Sequence, residues 1–226
     1  MIQTISFSSE GYDPFSFDTY ERLQNRLQGY CEQYGLPHTK YTHQQLRETD
    51  FYAQNKSMLD EKRTAGYGCW KPYIILDAFN RLNWGDIVCY MDVSTRLGGD
   101  PTSIINTVKD FWVHDTIYPN REWCKRDAFV LMDCDTPLYY DAHQVWSGIV
   151  IARKTVTTIQ LISDWMHFGC IRRIVSDDSS VLPNLPEFKD TRCDQTALTL
   201  LVLKYMHKHP GIEIKYQTDH TVFIDR

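Results

Sequence analysis

GYGCWKPYIILDAFNRLNWGDIVCYMDVST, residues 66–95, places an acidic residue at the exposed end of a short apolar run, and the fold class follows from that placement. The run Asp86-Ile87-Val88-Cys89-Tyr90-Met91 is apolar and β-branched, preceded by a Trp84-Gly85 turn and closed by Asp92-Val93-Ser94-Thr95. This is the pattern of a buried central strand. Upstream, Pro72 to Leu82 repeats apolar residues at helical spacing, and Pro72 sits in a first turn, where a missing N–H is tolerated. Helix, tight turn, strand and then acid is α/β punctuation. In open α/β sheets ligands collect outside the carboxyl ends of the strands, which is where Asp92 would lie. A carboxylate there suits holding a metal-bound or sugar-bearing phosphate.

The flanking chain continues the pattern. Thr4–Phe7 reads as a first strand, followed by the polar turn Ser8-Ser9-Glu10-Gly11-Tyr12, whose backbone N–H groups could receive a nucleotide. Residues 17–34 carry Tyr20, Leu23, Leu27, Tyr30 and Tyr34 at three- or four-residue spacing, the stripe of a helix lying on a sheet. Gly35-Leu36-Pro37 ends it. A second strand is expected over 38–43 and a helix over 49–60, giving a Rossmann-like βαβα start. Beyond Asp92 the expected elements are a loop at Gly98–Pro101, a helix over 101–112, strands over 128–132 and 144–152, and a helix over 157–168. A long loop follows over 177–190, then a helix over 194–207 and one or two strands within 212–224. Loops of that length inside a compact domain usually carry function.

Composition narrows the function. The chain has 226 residues, 42% hydrophobic, 13% aromatic and 23% charged, with a net charge of −5, enough for one α/β domain with a sizeable core. The negative balance and the absence of any long Lys/Arg block argue against a nucleic-acid partner. Seven scattered cysteines with no C-x-x-C pair read as reduced thiols. No secretory leader is legible, and no stretch reaches the roughly 18 apolar residues of a membrane span. The expectation is therefore a cytoplasmic protein without a transmembrane segment, open to peripheral attachment at a membrane.

Gly66 to Tyr73 with Asp86 and Tyr90-Met91-Asp92 resembles small GT-A-type glycosyltransferases of bacterial polysaccharide clusters and large DNA viruses, in which a G-x-W-x-W-K-P-type segment precedes a Y-L-D strand end. Trp146-Ser147-Gly148-Ile149-Val150-Ile151 is similar to that family's glycine-containing strand, and Arg192 to Leu198 to its "DQ" helix start. The resemblance covers about residues 60–205 in consistent order. It implies a single GT-A, Rossmann-like α/β domain over 1–226 with a mostly parallel central sheet flanked by helices. About 1–95 would form the nucleotide-binding half and about 96–226 the acceptor-binding half. The implied partners are a nucleoside-diphosphate sugar, UDP-linked, and a glycan or glycolipid acceptor.

The resemblance also implies site residues. Ser6, Arg63, Lys71, Tyr90, Met91, Asp92 and Ser94 would contact the donor. Asp194 and Gln195 would serve catalysis, and Trp146, Ser147 and Gly148 would meet the acceptor. GT-A enzymes commonly hold Mn²⁺ or Mg²⁺ on an Asp-x-Asp, and here Asp92 with a late His220 would be the ligands. Ser94 replaces the second acid, although hard cations favour one or two carboxylates.

Each residue also has a plainer reading. Asp92 can be a strand-end cap, Asp194 an N-cap, Arg63 a solvated helix end, and Ser147-Gly148 a bulge. Trp70 reads as a packing residue. Asp133 and Asp135 form a second D-x-D ahead of a Thr-Pro loop and are read as a decoy. Chemically, sugar transfer builds negative charge on a departing diphosphate, which Lys71 and Arg63 would offset. Two alternatives remain at this level: a nucleotide-sugar or glycan-binding module without turnover, and a sugar-phosphate nucleotidyltransferase. No G-x-S-x-G, G-x-G-x-x-G, Walker A or H-E-x-x-H motif supports a hydrolase or kinase.

Overall fold

Ile87-Val88-Cys89-Tyr90-Met91 is buried at all five positions, as a strand must be when both sheet faces are covered. The computed structural model describes residues 1–9, 19–217 and 222–224. Its strands are β1 (Ile2–Ser8), β2 (His38–Thr42), β3 (Ile87–Met91), β4 (Arg96–Leu97), β5 (Phe111–Pro119), β6 (His143–Arg153), β7 (Ile214–Gln217) and β8 (Phe223–Ile224). Six of them form one sheet in the order β2-β1-β3-β6-β5-β7, and β4 pairs separately with β8. β1 runs parallel to β2 and β3, β7 runs parallel to β5, and β6 runs antiparallel between β3 and β5. The sheet is thus mostly parallel, with one reversed strand, in a Rossmann-like α/β arrangement.

Alternation along the strands divides the core. Ile87, Cys89 and Met91 of β3, with Ile149 and Ile151 of β6, join Leu27 and Cys31 of the helix Tyr20–Gln33 on one face. Val88 and Tyr90, with Val150 and Ala152, join the helices Trp70–Asn80, Val156–Gly169 and Asp194–Lys208 on the other. The two-residue period of a strand sends successive side chains to opposite faces. The helix after β1 and the helix before β3 therefore lie on opposite faces of the sheet. Between the carboxyl ends of these adjacent strands the chain path reverses its sense, which is where a doubly wound sheet opens a crevice.

Two expected elements differ. The helix expected over 101–112 is limited to Thr102–Ile105, and Phe111 opens β5. Phe111 and Val113 pack on one face and Trp112 on the other, all fully buried. A continuous apolar run of this kind cannot be assigned from periodicity alone. The strand expected over 128–132 is instead part of the helix Arg126–Leu131. Ala128, Phe129 and Met132 are buried while Val130 and Leu131 are exposed, which is the one-sided burial of a helix. The helix expected from residue 17 runs Tyr20–Gln33, capped by the Thr19 side chain. Residues 10–18 lie outside the described residues, so the expected turn at Glu10–Tyr12 is not placed.

Candidate functional site

Three charged side chains from three elements meet at the carboxyl end of β3. Asp92 directly follows the strand, and its N–H donates to the Gly148 carbonyl at 2.7 Å. The Thr95 N–H donates back to the Asp92 carbonyl at 2.9 Å, closing a tight turn. Lys71 is the second residue of the helix Trp70–Asn80, and Asp194 is the first of Asp194–Lys208. Lys71 Nζ stands 3.3 Å from Asp92 Oδ1 and 3.2 Å from Asp194 Oδ2. It also donates to Ser147 Oγ at 3.2 Å and to the Ser147 carbonyl at 3.4 Å.

Exposure differs sharply within this triad. The side chains of Lys71 and Asp194 are 3% and 4% exposed, whereas that of Asp92 is 31% exposed. Asp92 is therefore the face the cluster shows to solvent. Burying charge is expensive unless it is paired, and the effect on Asp194 is direct. Burial pushes its carboxyl up to about 6, although Lys71 pulls the other way. Its Oδ2 lies close to Lys71 but outside hydrogen-bonding geometry. Burial also works against the Lys71 charge, yet Asp194 and Asp92 together outweigh it and its pKa is raised. The Tyr90 hydroxyl donates to Asp92 Oδ1. Burial and then the Asp92 charge hold that phenol protonated well above its ordinary range.

The segment before Lys71 is strained. Thr64, Ala65, Gly66, Tyr67 and Gly68 all have positive φ, as does Cys193 immediately before Asp194. Left-handed backbone costs a non-glycine residue about 1–2 kcal/mol and persists only where surrounding contacts enforce it. Those contacts are on hand: the Trp70 indole N–H donates to the Thr64 carbonyl at 3.1 Å, and the Tyr67 hydroxyl donates to Asp177 Oδ1 at 2.6 Å. Arg63 reaches Asp190 Oδ2 at 2.7 Å, the Thr191 carbonyl at 3.1 Å and Asp177 Oδ2 at 3.3 Å. Arg63 thereby ties the strained turn to both ends of the 177–190 loop, and its fork is already committed.

Of the other expected residues, Ser147 and Gln195 adjoin this centre, whereas Ser6 turns to His38 and to Gln24 of the Tyr20–Gln33 helix. Gln195 Nε2 donates to Gln144 Oε1 at 2.7 Å, and Gln195 Oε1 accepts from the Ser147 N–H at 3.4 Å. Ser147 and Gly148 lie in a bulge, because His114 pairs with Trp146 while the adjacent Val113 pairs with Val150. A Cβ on Gly148 would lie 2.4 Å from the Trp146 ring, so glycine there lets the indole fold back over the strand. Trp146 in turn meets His114 edge-on at 5.9 Å. Ser94 is half-buried beside Asp92, while Tyr90 and Met91 are fully buried. Ser6 is fully buried too, its hydroxyl engaged with His38 Nε2 and Gln24 Nε2. Trp70 is a packing residue stacked on Phe7 with ring centroids 3.8 Å apart.

Asp194 is not an N-cap, since Cys193 holds that position and Asp194 turns its carboxylate to Lys71. Asp133 meets Lys204 and Lys208 at 3.9 and 3.7 Å, and Asp135 pairs with Arg126. The second D-x-D is thus engaged in ion pairs away from this cluster. His220 lies outside the described residues. Among the described residues no three His, Cys, Asp or Glu side chains come together as a metal cluster, no cysteine is in a disulfide, and no helix is long and apolar enough to cross a membrane.

Sequence reasoning missed Arg26 and Tyr20. Arg26 Nη2 donates to the Ser94 carbonyl at 3.1 Å and to that of Val93 at 3.4 Å. Its Nε is buried without a hydrogen-bond partner among the described residues. Burial and then the Asp92 charge raise the Tyr20 pKa, which places that phenol near Asp92. Arg26 belongs to the polar side of a helix read only for its apolar stripe, Tyr20 is a member of that stripe, and nothing local in the sequence marks the Arg26 contact 67 residues away.

No protein-family model matches the sequence, and no curated protein matches it. Among solved structures, one similar to this chain is a glycosyltransferase involved in the glycosylation of the major capsid of PBCV-1. It is 13% identical over 97% of this chain and 81% of that one, with a TM-score of 0.45. Mouse xyloside xylosyltransferase 1 is 8% identical over 95% and 84%, TM-score 0.42. HddC from Yersinia pseudotuberculosis is 11% identical over 100% and 93%, TM-score 0.42. With TM-scores below 0.5, none of these likenesses bears on the chemistry of the site, which rests on its own residues.

Proposed function

We propose that this chain is a glycosyltransferase that moves a sugar from a nucleoside-diphosphate sugar, UDP-linked, to a hydroxyl of a glycan or glycolipid. The observation that carries the reading is the convergence of Asp92, Lys71 and Asp194 at the carboxyl end of β3, beside the Ser147–Gly148 bulge of β6. In such a transfer the bond from the anomeric carbon to the diphosphate breaks and its electron pair leaves with the diphosphate. A bond to the acceptor oxygen forms, and that hydroxyl gives up its proton to the departing diphosphate. The developing charge sits on the leaving phosphate, so fixed cations beside it stabilise the transition state.

Asp92 is the exposed member and meets the donor. Lys71 supplies positive charge beneath it. Asp194, nearly closed off from solvent, acts through Lys71 as a positioning residue, and half-buried Gln195 presents its amide beside the bulge at Ser147. The half-buried Trp146 and the bulge form the acceptor side.

Donor hydrolysis tests the reading. Incubation with UDP-sugars should release UDP slowly, and Asp92→Ala should abolish the release while leaving thermal unfolding within a few degrees of wild type. Tight donor binding with no turnover would make the chain a binding module instead. Release of pyrophosphate from a nucleoside triphosphate and a sugar phosphate would make it a nucleotidyltransferase.

A further inference from the structure

A GT-A site implies a divalent ion, and the donor set among the described residues does not fit one. Asp92 Oδ1 already receives the Tyr90 hydroxyl and faces Lys71 Nζ at 3.3 Å. Position 94 offers a hydroxyl in place of a second carboxylate, and its carbonyl receives Arg26. Asp194 is the other acid facing Lys71, yet it is 4% exposed and Lys71 stands against it at 3.2 Å. A hard cation needs oxygen ligands with compensating negative charge. Here an ammonium and a guanidinium converge on the Asp92–Ser94 turn.

We propose that Lys71 and Arg26 supply the positive charge a divalent ion would bring, so that this chain binds its diphosphate donor without a metal. The proposal rests on the nucleotide-sugar reading of the same site. Lys71 is suited to the role because Asp92 and Asp194 fix its position, and its charge is buried where solvent screens it little. Arg26 is suited because its guanidinium is anchored on the Val93 and Ser94 carbonyls through Nη2, while its buried Nε has no hydrogen-bond partner among the described residues. Arginine forks match phosphate oxygens in a paired geometry that a point charge lacks. The two cations approach the Asp92–Ser94 turn from different elements, the helix Trp70–Asn80 and the helix Tyr20–Gln33.

Two measurements on the full chain test this. In the first, Mn²⁺ alone is titrated and free ion is followed by its EPR signal. Wild type is expected to take up no stoichiometric Mn²⁺, and stoichiometric uptake that Asp92→Asn abolishes would overturn the proposal. In the second, calorimetric titration of UDP-, GDP-, dTDP- and CMP-sugars is run in EDTA and in Mn²⁺. The expected result is that affinity for the donor that binds changes less than about twofold between the two, while Arg26→Gln weakens it roughly tenfold in both, as loss of a charge-assisted hydrogen bond would. A donor that binds only in Mn²⁺ overturns the proposal and leaves the nucleotide-sugar reading standing. Absence of binding to any donor in either buffer removes that reading, and the proposal falls with it. Arg26→Gln lies on a half-buried helix position, so the test does not depend on a Lys71 variant folding.

Discussion

Gly68 leaves empty the space that the carboxylate of Asp194 fills: a Cβ on Gly68 would lie 2.3 Å from Asp194 Oδ1. The residue also has φ of +76°, so two separate constraints select glycine. Gly68→Ala should therefore act on both fold and site. Stability is expected to fall by about 1–3 kcal/mol from backbone strain, measured by urea unfolding. Donor turnover should fall more than roughly tenfold, because a displacement of about 1 Å in a positioned group costs that much or more. A variant with wild-type turnover would show that the carboxylate position is unimportant.

Lys71 separates two carboxylates, and removing it strands them. Lys71→Met should destabilise the chain by about 3–5 kcal/mol, the usual cost of breaking a buried ion pair from one side. Adding Asp194→Asn should recover part of that loss, giving a coupling that a double-mutant cycle reads directly. A loss below about 1 kcal/mol in the single variant would mean that Asp194 is held neutral by other contacts.

The carboxyl of Asp194, pushed up to about 6 by burial, sets a pH dependence. Its folded pKa lies above the ordinary carboxyl value of 3.8, so the folded chain holds a proton that the unfolded chain has released. That contribution to stability is complete below about 4 and disappears as pH rises through 6. Activity should run the other way. Neutral Asp194 no longer holds Lys71, so donor turnover is expected to decline below a midpoint near 6. Asp194→Asn should lose that acid limb, and an unchanged limb in the variant would assign it to another group.

His38 carries a second, opposite dependence. Burial first, and then Lys40, pull its pKa down to about 4, and its two ring nitrogens meet the Thr4 and Ser6 hydroxyls at 2.9 Å. For a histidine whose folded pKa is depressed below 6.5, the unfolded chain takes up the proton first. The associated stability is present above 6.5 and is lost as pH falls towards 4. Replacing His38 with Gln should flatten the stability profile over that interval, measured by denaturant midpoints. A profile as steep as wild type would refute the assignment.

Arg63 joins the strained turn to the 177–190 loop through Asp190 and Asp177. Arg63→Ala should therefore leave global stability within about 1 kcal/mol, since partly exposed ion pairs contribute little. It should still speed proteolytic cleavage within 177–190 and raise KM for the acceptor more than it lowers kcat. Unchanged nicking would show that the loop holds itself in place.

Legibility in the sequence followed the range of the interactions. The central strand, the helix before it and the helix from Asp194 were readable because hydrophobic period and turn residues act over a few positions. Phe111-Trp112-Val113 was not readable as a strand, because burial on both faces erases the alternation that identifies one. Ala128 to Met132 failed for the related reason that five residues are too few to separate the two periods. At the site, Lys71, Asp92 and Asp194 were each legible as chemistry-bearing types in ordered motifs. Their meeting was not, nor was the part of Arg26, whose partners are 67 and 68 residues away.

The amino-acid order by itself determined an α/β chain with an acid at the end of its central strand, because those are consequences of side-chain period and local backbone preference. Which cation faces that acid was decided only by the tertiary structure. Three elements had to pack before burial could raise one carboxyl, Asp194, leave the other, Asp92, partly open to water, and trap an ammonium between them. Electrostatic character depends on dielectric surroundings and distance, and neither is written along a chain.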